Sequence, residues 1–566
     1  MKNYQDSSVS SVHMAAILIG SAGFISRVLG IIRDRLLAAQ FGAGRELDMY
    51  LTAFQIPDFM AAIFLLGAGS VAILPVFQEY FRHRREDAQI LISSLTSVFV
   101  GGASLISIIM FIAAPWLVRI LTPGFALHEQ DITVTLTRIM LLSPILLGLS
   151  SIFSAVIQSH ERFWAFAAAP IAYNLGIIAG ILFFAPRVGL PGLAAGVVMG
   201  ALLHMGIQGF SLWRLGLLPR INAHPWTPGI RKVFRLSFPR VISLSLSEVT
   251  SAVLVAIGST LAVGSITVFK LSQNLYFLPV GLFGISYSVA LFPRLSMAFI
   301  KKEPDRFFNE LFLGIRATLF WVLPATALYL VLRLPLVAIV LRTGSFTGQD
   351  SRLTAASLFL LALALTSGSL IPLLIKGYYA IGRTWLPLGI NIISSAFTLI
   401  LAYAGASLLA FPNTPWQWRT RELVASFFAL GDTGSPAVLG IAAGFAAGIT
   451  LNGFLLYYAL MRTARRAMSG GPAFPAAETA KIAFSSVSAG VAAYAIRVSI
   501  SNTLSLTSFG HVLLLMGASA GGGIAIYAGT LALLQSKDLR FFVNALRRRS
   551  ISLRALFTYG NGEKIP

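Results

Sequence analysis

Long apolar runs separated by short polar intervals fill the chain from about residue 13 to about residue 535. Each run is mostly apolar and carries few charges, the pattern of a segment whose solvent is lipid. A span needs ~20 mostly apolar residues to cross ~30 Å of hydrocarbon. It must also close its backbone hydrogen bonds internally, which makes it helical. On that measure the pattern predicts an all-α polytopic membrane protein of about fourteen spans. They are placed near 13–33, 48–80, 90–120, 131–158, 164–186, 190–213, 233–262, 266–298, 309–341, 353–380, 385–410, 436–461, 478–499 and 510–535.

Composition strengthens this picture. Hydrophobic residues make up 56% of the 566 and charged residues 11%, with a mean hydropathy of +0.79, whereas soluble domains carry roughly 25% charged residues. No long polar stretch is available to fold as a soluble domain. The absence of cysteine excludes disulfides, zinc-thiolate sites and thiol catalysis. The polar segment Met1–Val12 precedes an apolar run that carries Arg27 and Arg33 and lacks a small-residue cleavage site, so the run is taken as the first span and not as a cleaved signal.

The net charge of +22 is spread over short loops and the C-terminal tail, which argues for membrane topology and against a nucleic-acid partner. Arg82, Arg84 and Arg85, Arg162, Arg214, Arg220, Arg231 and Lys232, and Lys301, Lys302 and Arg306 follow even-numbered spans. So do Arg383, the group Arg462, Arg465 and Arg466, and the tail residues Arg547, Arg548 and Arg549. Basic residues concentrate in cytoplasmic loops, which predicts that both termini are cytoplasmic. Arg33, Arg35 and Arg45 depart from the rule, lying at or beyond the outer end of the first span.

The chain also echoes itself. Ser70–Phe77 reads SVAILPVF and Ser288–Leu295 reads SVALFPRL, while Pro170 and Asn174 are repeated as Pro387 and Asn391. The two echoes share nearly one offset and are separated by an even number of spans. The prediction is a parallel repeat of two lobes of about six spans each, followed by two further helices, with substrate held between the lobes. The corresponding divisions are 1–230, 231–470, 471–536, and a basic cytoplasmic tail over 537–566. Common membrane-helix composition is the competing explanation of the echoes.

Ionisable residues inside spans cost ~2.5–3.5 kcal/mol each on insertion scales and normally face protein or water. Arg27, Arg33 and Asp34 in the first span and Asp48 at the start of the second are such residues. Guanidinium forks suit phosphate, so an arginine-lined cavity points to an anionic, phosphorylated substrate, bound by Arg27 and Arg33. Arg35 and Arg45 are read as snorkelling to the interface. Glu248, in the polar stretch SLSLSEVTSA, is a proton or cation candidate with Asn391, Ser395 and Thr450. A protonated glutamate bonded to a neighbouring helix is the competing reading. Lys270 and Asn274 stand one turn apart and face the same side. The seven histidines have no ligand spacing, and no G-x-x-x-x-G-K-[ST] occurs, which speaks against ATP hydrolysis by this chain. Gly517–Gly529 reads as small-residue helix packing or as a smooth face for a lipid tail.

With those residues assembled, the sequence resembles the MurJ/MviN lipid II flippases of the MOP exporter superfamily. The resemblance rests on SRVLGIIRD (Ser26–Asp34), FGAG (Phe41–Gly44), Asp48, AFQIPDFM (Ala53–Met60), GAGSVAILPVFQEY (Gly67–Tyr80), RFWAFAAAP (Arg162–Pro170) and LPVGLFGISYSVALFPRLS (Leu278–Ser296). It implies a transporter, not an enzyme, that moves undecaprenyl-diphosphate-linked peptidoglycan precursor, specifically lipid II, to the outer leaflet of a bacterial cytoplasmic membrane by alternating access. It further implies a monomer among membrane lipids, without a cofactor, driven by the membrane potential or by the gradient of a coupling cation, Na+ or H+. In such a mechanism Arg27 and Arg33 bind diphosphate, Asp34 orients Arg33, Lys270 and Asn274 line the head-group site, and Asp48 acts at the outer gate. Three family features are absent: the basic pair of the second span is Ala61 and Ala62, the following acid is Leu66, and the arginine of the eighth span is Asn274. The rival readings are another exporter of the same superfamily, such as a polysaccharide-unit flippase or a drug/cation antiporter, and a polyprenyl-phosphate-dependent glycosyltransferase. For the last, Glu422 and Asp432 offer no paired acid and base.

Overall fold

The computed structural model describes residues 2–63, 76–77, 79–81, 85–160, 162–220, 226–431, 435–468, 471–503 and 508–544. All regular elements among them are helical. In chain order they are α1 (Lys2–Phe41), α2 (Arg45–Ala53), α3 (Gln55–Ala61), α4 (Arg85–Leu121), α5 (Leu127–Met140), α6 (Leu142–Ser159) and α7 (Phe163–Ala179). A π segment, Gly180–Phe184, leads to α8 (Ala185–Val188), then α9 (Leu190–Arg214), α10 (Pro228–Ser259) and α11 (Ser265–Pro279). A second π segment, Val280–Ile285, joins α12 (Ser286–Ile300), followed by α13 (Pro304–Leu341), α14 (Gly348–Leu363), α15 (Leu365–Ala380) and α16 (Trp385–Ala410). The last four are α17 (Pro415–Phe427), α18 (Val438–Ala467), α19 (Ala476–Thr503) and α20 (Phe509–Leu533).

Ten helices among the described residues are long and apolar enough to cross a membrane, or eleven if the pair α14 and α15, bent by 46°, is one span. Several expected spans coincide with these helices almost residue for residue, including 385–410 with α16 and 510–535 with α20. Three are interrupted, one at Leu141 between α5 and α6, one at Ala364 between α14 and α15, and one in the second expected span. The stretch expected at 48–80 breaks at Phe54 between α2 and α3, and residues 64–75, which carry most of the first SVA-P echo and Leu66, lie outside the described residues, as do Arg82, Arg84, Asp432 and Arg547–Arg549. The segment between the expected spans 385–410 and 436–461 contains α17, a helix with no buried residue. Trp416, Trp418, Leu423 and Phe427 are exposed on it.

The chain divides into two compact units. The first comprises Met1–Ser272, Val340–Ser357 and Asn391–Phe445, and the second Gln273–Ile339, Leu358–Ile390 and Ala446–Pro566. In the first, one apolar cluster gathers Phe77, Leu91, Ile92, Phe153, Val156 and Ile157, and another joins Leu47, Tyr50, Leu136, Leu193 and Val197. In the second, Phe307, Phe308, Leu311, Tyr378, Leu456 and Leu460 form the main cluster.

Small residues set the closest approach in the first unit. A Cβ at Gly176 would lie 2.3 Å from the Cα of Gly200, and one at Gly180 2.5 Å from that of Gly196. Helices that cannot gain from expelling water pack instead by bringing backbones together over small residues. The glycine-rich stretch of α20 shows both faces of its composition. In the second unit a Cβ at Gly523 would lie 3.0 Å from Ala489 O, whereas one at Gly517, Gly521 or Gly529 would meet open space.

Candidate functional site

The first helix brings its polar groups to α7 along a helical stripe. Ser26, Gly30 and Arg33 recur at i, i+4 and i+7, and all three meet Asn174. Its side-chain amide donates to Ser26 O (3.2 Å), Ser26 Oγ (3.1 Å) and Pro170 O (3.2 Å). Its Oδ1 accepts from Arg33 Nη1 at 3.4 Å and stands 4.0 Å from where a Cβ on Gly30 would be. A larger residue at 30 would crowd that amide. The other edge of the Arg33 guanidinium, Nε and Nη2, donates to Asp34 Oδ1 at 3.0 and 2.8 Å. Arg33 is therefore oriented from both sides, by a carboxylate and by an amide.

Arg27 lies six residues before Arg33 on the same helix and is half-buried. Its Nη1 is buried and has no hydrogen-bond partner among the described residues. A buried cationic donor left unmade is expensive, and an anionic ligand is the chemistry that satisfies it. Arg35 and Arg45 are engaged elsewhere: Arg35 Nη1 donates to Val340 O at 3.4 Å, while Arg45 pairs with Glu129 at 3.2 Å and stacks over Phe125.

A second polar cluster joins α3, α10 and α11. Lys270 Nζ donates to Ser251 Oγ at 2.8 Å, and Ser251 Oγ donates to Gln55 Oε1 at 3.1 Å. Asp58 follows Gln55 by one turn and Glu248 precedes Ser251 by one turn, so both carboxylates fall on the faces that hold the lysine. Lys270 interacts electrostatically with both. Asp58 also lies within electrostatic reach of Tyr173 on α7, the helix that carries Asn174. Lys270 is thus a partly neutralised cation flanked by two acids. Asn274, one turn further along α11, is exposed. Asn391 and Ser395 stand one turn apart on α16, and Thr450 Oγ1 donates within its own helix to Ala446 O at 2.8 Å. No group of three or more His, Cys, Asp or Glu side chains that could hold a metal occurs among the described residues.

Asp48, only 1% exposed, accepts three hydrogen bonds. Gly264 N donates to Oδ2 at 2.7 Å, and Thr267 N and Oγ1 donate to Oδ1 at 2.8 and 2.7 Å. The carboxylate so completes the orphan amides at the start of α11. Around it turns close on one another with no room for a side chain. Gly264, at φ +85°, would place a Cβ 2.1 Å from Ala43 O, and Gly344 would place one 2.2 Å from Ala39 O. Ser345 N donates to that same Ala39 carbonyl at 2.8 Å.

Sequence inspection singles out Arg27, Arg33 with its partner Asp34, Asp48, Glu248 and Lys270, but not Asn174, Asp58 or Thr267, which complete their surroundings. Asn174 was visible only as half of a sequence echo, and Asp58 only as part of AFQIPDFM. An acid and an amide inside apolar helices are the signal that could have found them.

A family model described as lipid II flippase MurJ matches residues 37–413. Among curated proteins, a lipid II flippase MurJ of Burkholderia cenocepacia is 26% identical over 375 residues, covering 65% of this chain and 73% of that protein. A probable lipid II flippase MurJ of Haemophilus influenzae is 28% identical over 456 residues, covering 77% and 84%. Among solved structures, a lipid II flippase MurJ in an inward closed conformation has a similar fold, with TM-score 0.69 and 21% identity over 92% of this chain and 98% of that one. An inward-facing multidrug resistance MATE family transporter of the MOP superfamily also shares the fold, with TM-score 0.64 and 12% identity over 80% and 99%.

Proposed function

The chain belongs to the lipid II flippase MurJ family, and from that premise we propose that it carries lipid II from the cytoplasmic to the outer leaflet of a bacterial cytoplasmic membrane for peptidoglycan synthesis. The observation that carries this reading within the site is the buried Nη1 of Arg27, unsatisfied among the described residues, on the same helix as an Arg33 already oriented by Asp34 and Asn174. Two guanidinium groups, of which Arg33 alone is paired with an acid, suit a diphosphate, whose oxygens accept from N–H donors. Asp34 and Asn174 position Arg33, and Lys270 with Asn274 supplies a second, weaker polar surface for the head group.

The cycle we propose is alternating access of the repeated lobes 1–230 and 231–470, followed by the helices of 471–536 and a basic tail over 537–566, with both termini cytoplasmic and the protein acting as a monomer. Asp48 serves the outer gate, because releasing the start of α11 requires three hydrogen bonds to a buried carboxylate to be broken together. A cation, Na+ or H+, supplies the coupling. Glu248 is the group we assign to it, with Asn391, Ser395 and Thr450 as further candidates. One observation favours a second reading: Asp58 and Glu248 flank Lys270, and two carboxylates suit a cationic substrate of an antiporter in the same superfamily. The cationic first helix opposes that reading by charge.

Complementation decides between them. Expression of this chain should restore growth to bacteria depleted of their lipid II flippase, and Arg27→Ala should abolish the rescue while leaving the protein in the membrane. Failure of the wild-type chain to rescue, with reconstituted vesicles that export a cationic dye but flip no lipid II, would overturn the flippase reading.

A further inference from the structure

Away from the clusters of the first unit, the second unit contains a cavity of about 810 Å³. Its wall is formed by Arg383 and Thr384, by Trp385 and Leu386 in the first turn of α16, and by Thr463 and Arg466 near the end of α18. The chain delivers Arg383 to this place through a defined turn. At the end of α15, Gly382 N donates to Tyr379 O at 3.2 Å and Arg383 N to Tyr378 O at 3.0 Å, with Gly382 at φ +70°. This is the paired 5→2 and 6→1 bonding that ends helices on a left-handed glycine. Thr463 and Arg466 are three residues apart and share a face of α18.

The chemistry of the wall is specific. It holds two exposed arginines and no acid, and neither arginine takes part in an ion pair among the described residues. Beside them are large apolar surfaces, with Trp385 61% and Leu386 40% exposed. The cavity opens at the first residues of one candidate span, Trp385–Ala410, and the last residues of another, Val438–Ala467, where a membrane-crossing chain meets the lipid surface. Tryptophan favours that level of a bilayer because its ring is apolar and its N–H is polar. Basic pockets between spans on the cytoplasmic side recognise anionic lipid head groups, and a volume of this size lies in the range of ordinary ligand sites.

We propose that this cavity binds the phosphodiester head group of an anionic membrane phospholipid, with Arg383 and Arg466 holding the phosphate and Trp385 and Leu386 meeting the start of the acyl chains. The ligand is a resident lipid rather than the transported cargo, so the site does not depend on the flippase reading.

The test uses the full chain in nonionic detergent, with binding of brominated phosphatidylglycerol followed as the quenching of tryptophan fluorescence that Trp385→Phe removes. Arg383→Gln and Arg466→Gln should each weaken binding about five-fold, and the double variant about thirty-fold, at about 1 kcal/mol for each basic group near an anionic head group. Brominated phosphatidylcholine should bind weakly to all forms. Both side chains are exposed, so the variants should melt with the wild type. If the double variant fails to fold, the single variants carry the test. The proposal fails if the glutamine variants bind phosphatidylglycerol as the wild type does. It also fails if inorganic phosphate alone competes as strongly as the lipid, which would make this a soluble-anion site. Displacement by undecaprenyl diphosphate at far lower concentrations than by phosphatidylglycerol would assign the cavity to the cargo and overturn the proposal as well.

Discussion

At the scale of single residues, the decisive quantity is how many directed bonds a charge makes. Two nitrogens of Arg33 share one carboxylate oxygen of Asp34 while a third reaches Asn174, an arrangement that requires a planar fork. Arg33→Lys keeps the charge but can reproduce only part of it, and a charged hydrogen bond is worth ~1.5–3 kcal/mol. Lipid II flipping by reconstituted vesicles should therefore fall by about ten-fold or more, with Asn174→Ala giving a smaller loss; wild-type flux from Arg33→Lys would remove the fork from the mechanism. Lys270 poses a different problem, since it is held by Ser251 and flanked by Asp58 and Glu248. Lys270→Ala leaves two acids facing each other, so it should lower thermal stability as well as flux. Adding Asp58→Asn should recover the stability, and Asn274→Arg should recover part of the flux by returning a cation one turn away. Unchanged melting and flux in Lys270→Ala would show that the lysine has neither role.

At the scale of elements, backbone proximity matters more than side-chain chemistry. The contact of α7 and its π segment with α9 is made by Gly176 on Gly200 and Gly180 on Gly196, with each missing Cβ replaced by a neighbouring main chain. Gly196→Leu has no flexible side chain to push aside and must separate the helices. The expected cost is about 1–3 kcal/mol, read as a lower melting temperature in detergent. Gly517→Ala on α20 meets nothing within 4 Å and should melt with the wild type. Equal melting of the two variants would show that the α7 to α9 contact yields more readily than its geometry implies. The breaks at Phe54 and between α14 and α15 belong to this scale too. Hydropathy averages over a window and passes smoothly across a one-residue interruption, so neither break was legible in the sequence.

At the scale of the whole molecule, the sequence makes a topological commitment that reporter fusions can check. Arg84 follows the second expected span and Arg421 lies beyond the eleventh, an odd number of crossings apart. A periplasm-active reporter and a cytoplasm-active reporter fused at these positions should give opposite patterns. Matching patterns would require a different number of crossings. α17, which carries Arg421 and buries none of its residues, is consistent with a helix outside the packed core.

Hydropathy along the chain is enough to show an all-helical membrane protein, to place many of its long helices, and to mark the charges that stand inside apolar runs. Those properties follow from local quantities: the run length needed to cross hydrocarbon, and the cost of placing a charge there. It also yielded Arg27, Arg33 and Asp48 as outliers against that local background. What each charge faces emerges only from how the helices pack. Arg33 meets an amide 141 residues away, Asp48 caps a helix more than 200 residues away, and Asp58 joins Glu248 and Lys270 across three helices. Such pairings depend on which helix faces turn toward each other, and in an apolar setting those faces are chosen by small-residue packing spread over whole helices, for which no short stretch of sequence carries the code.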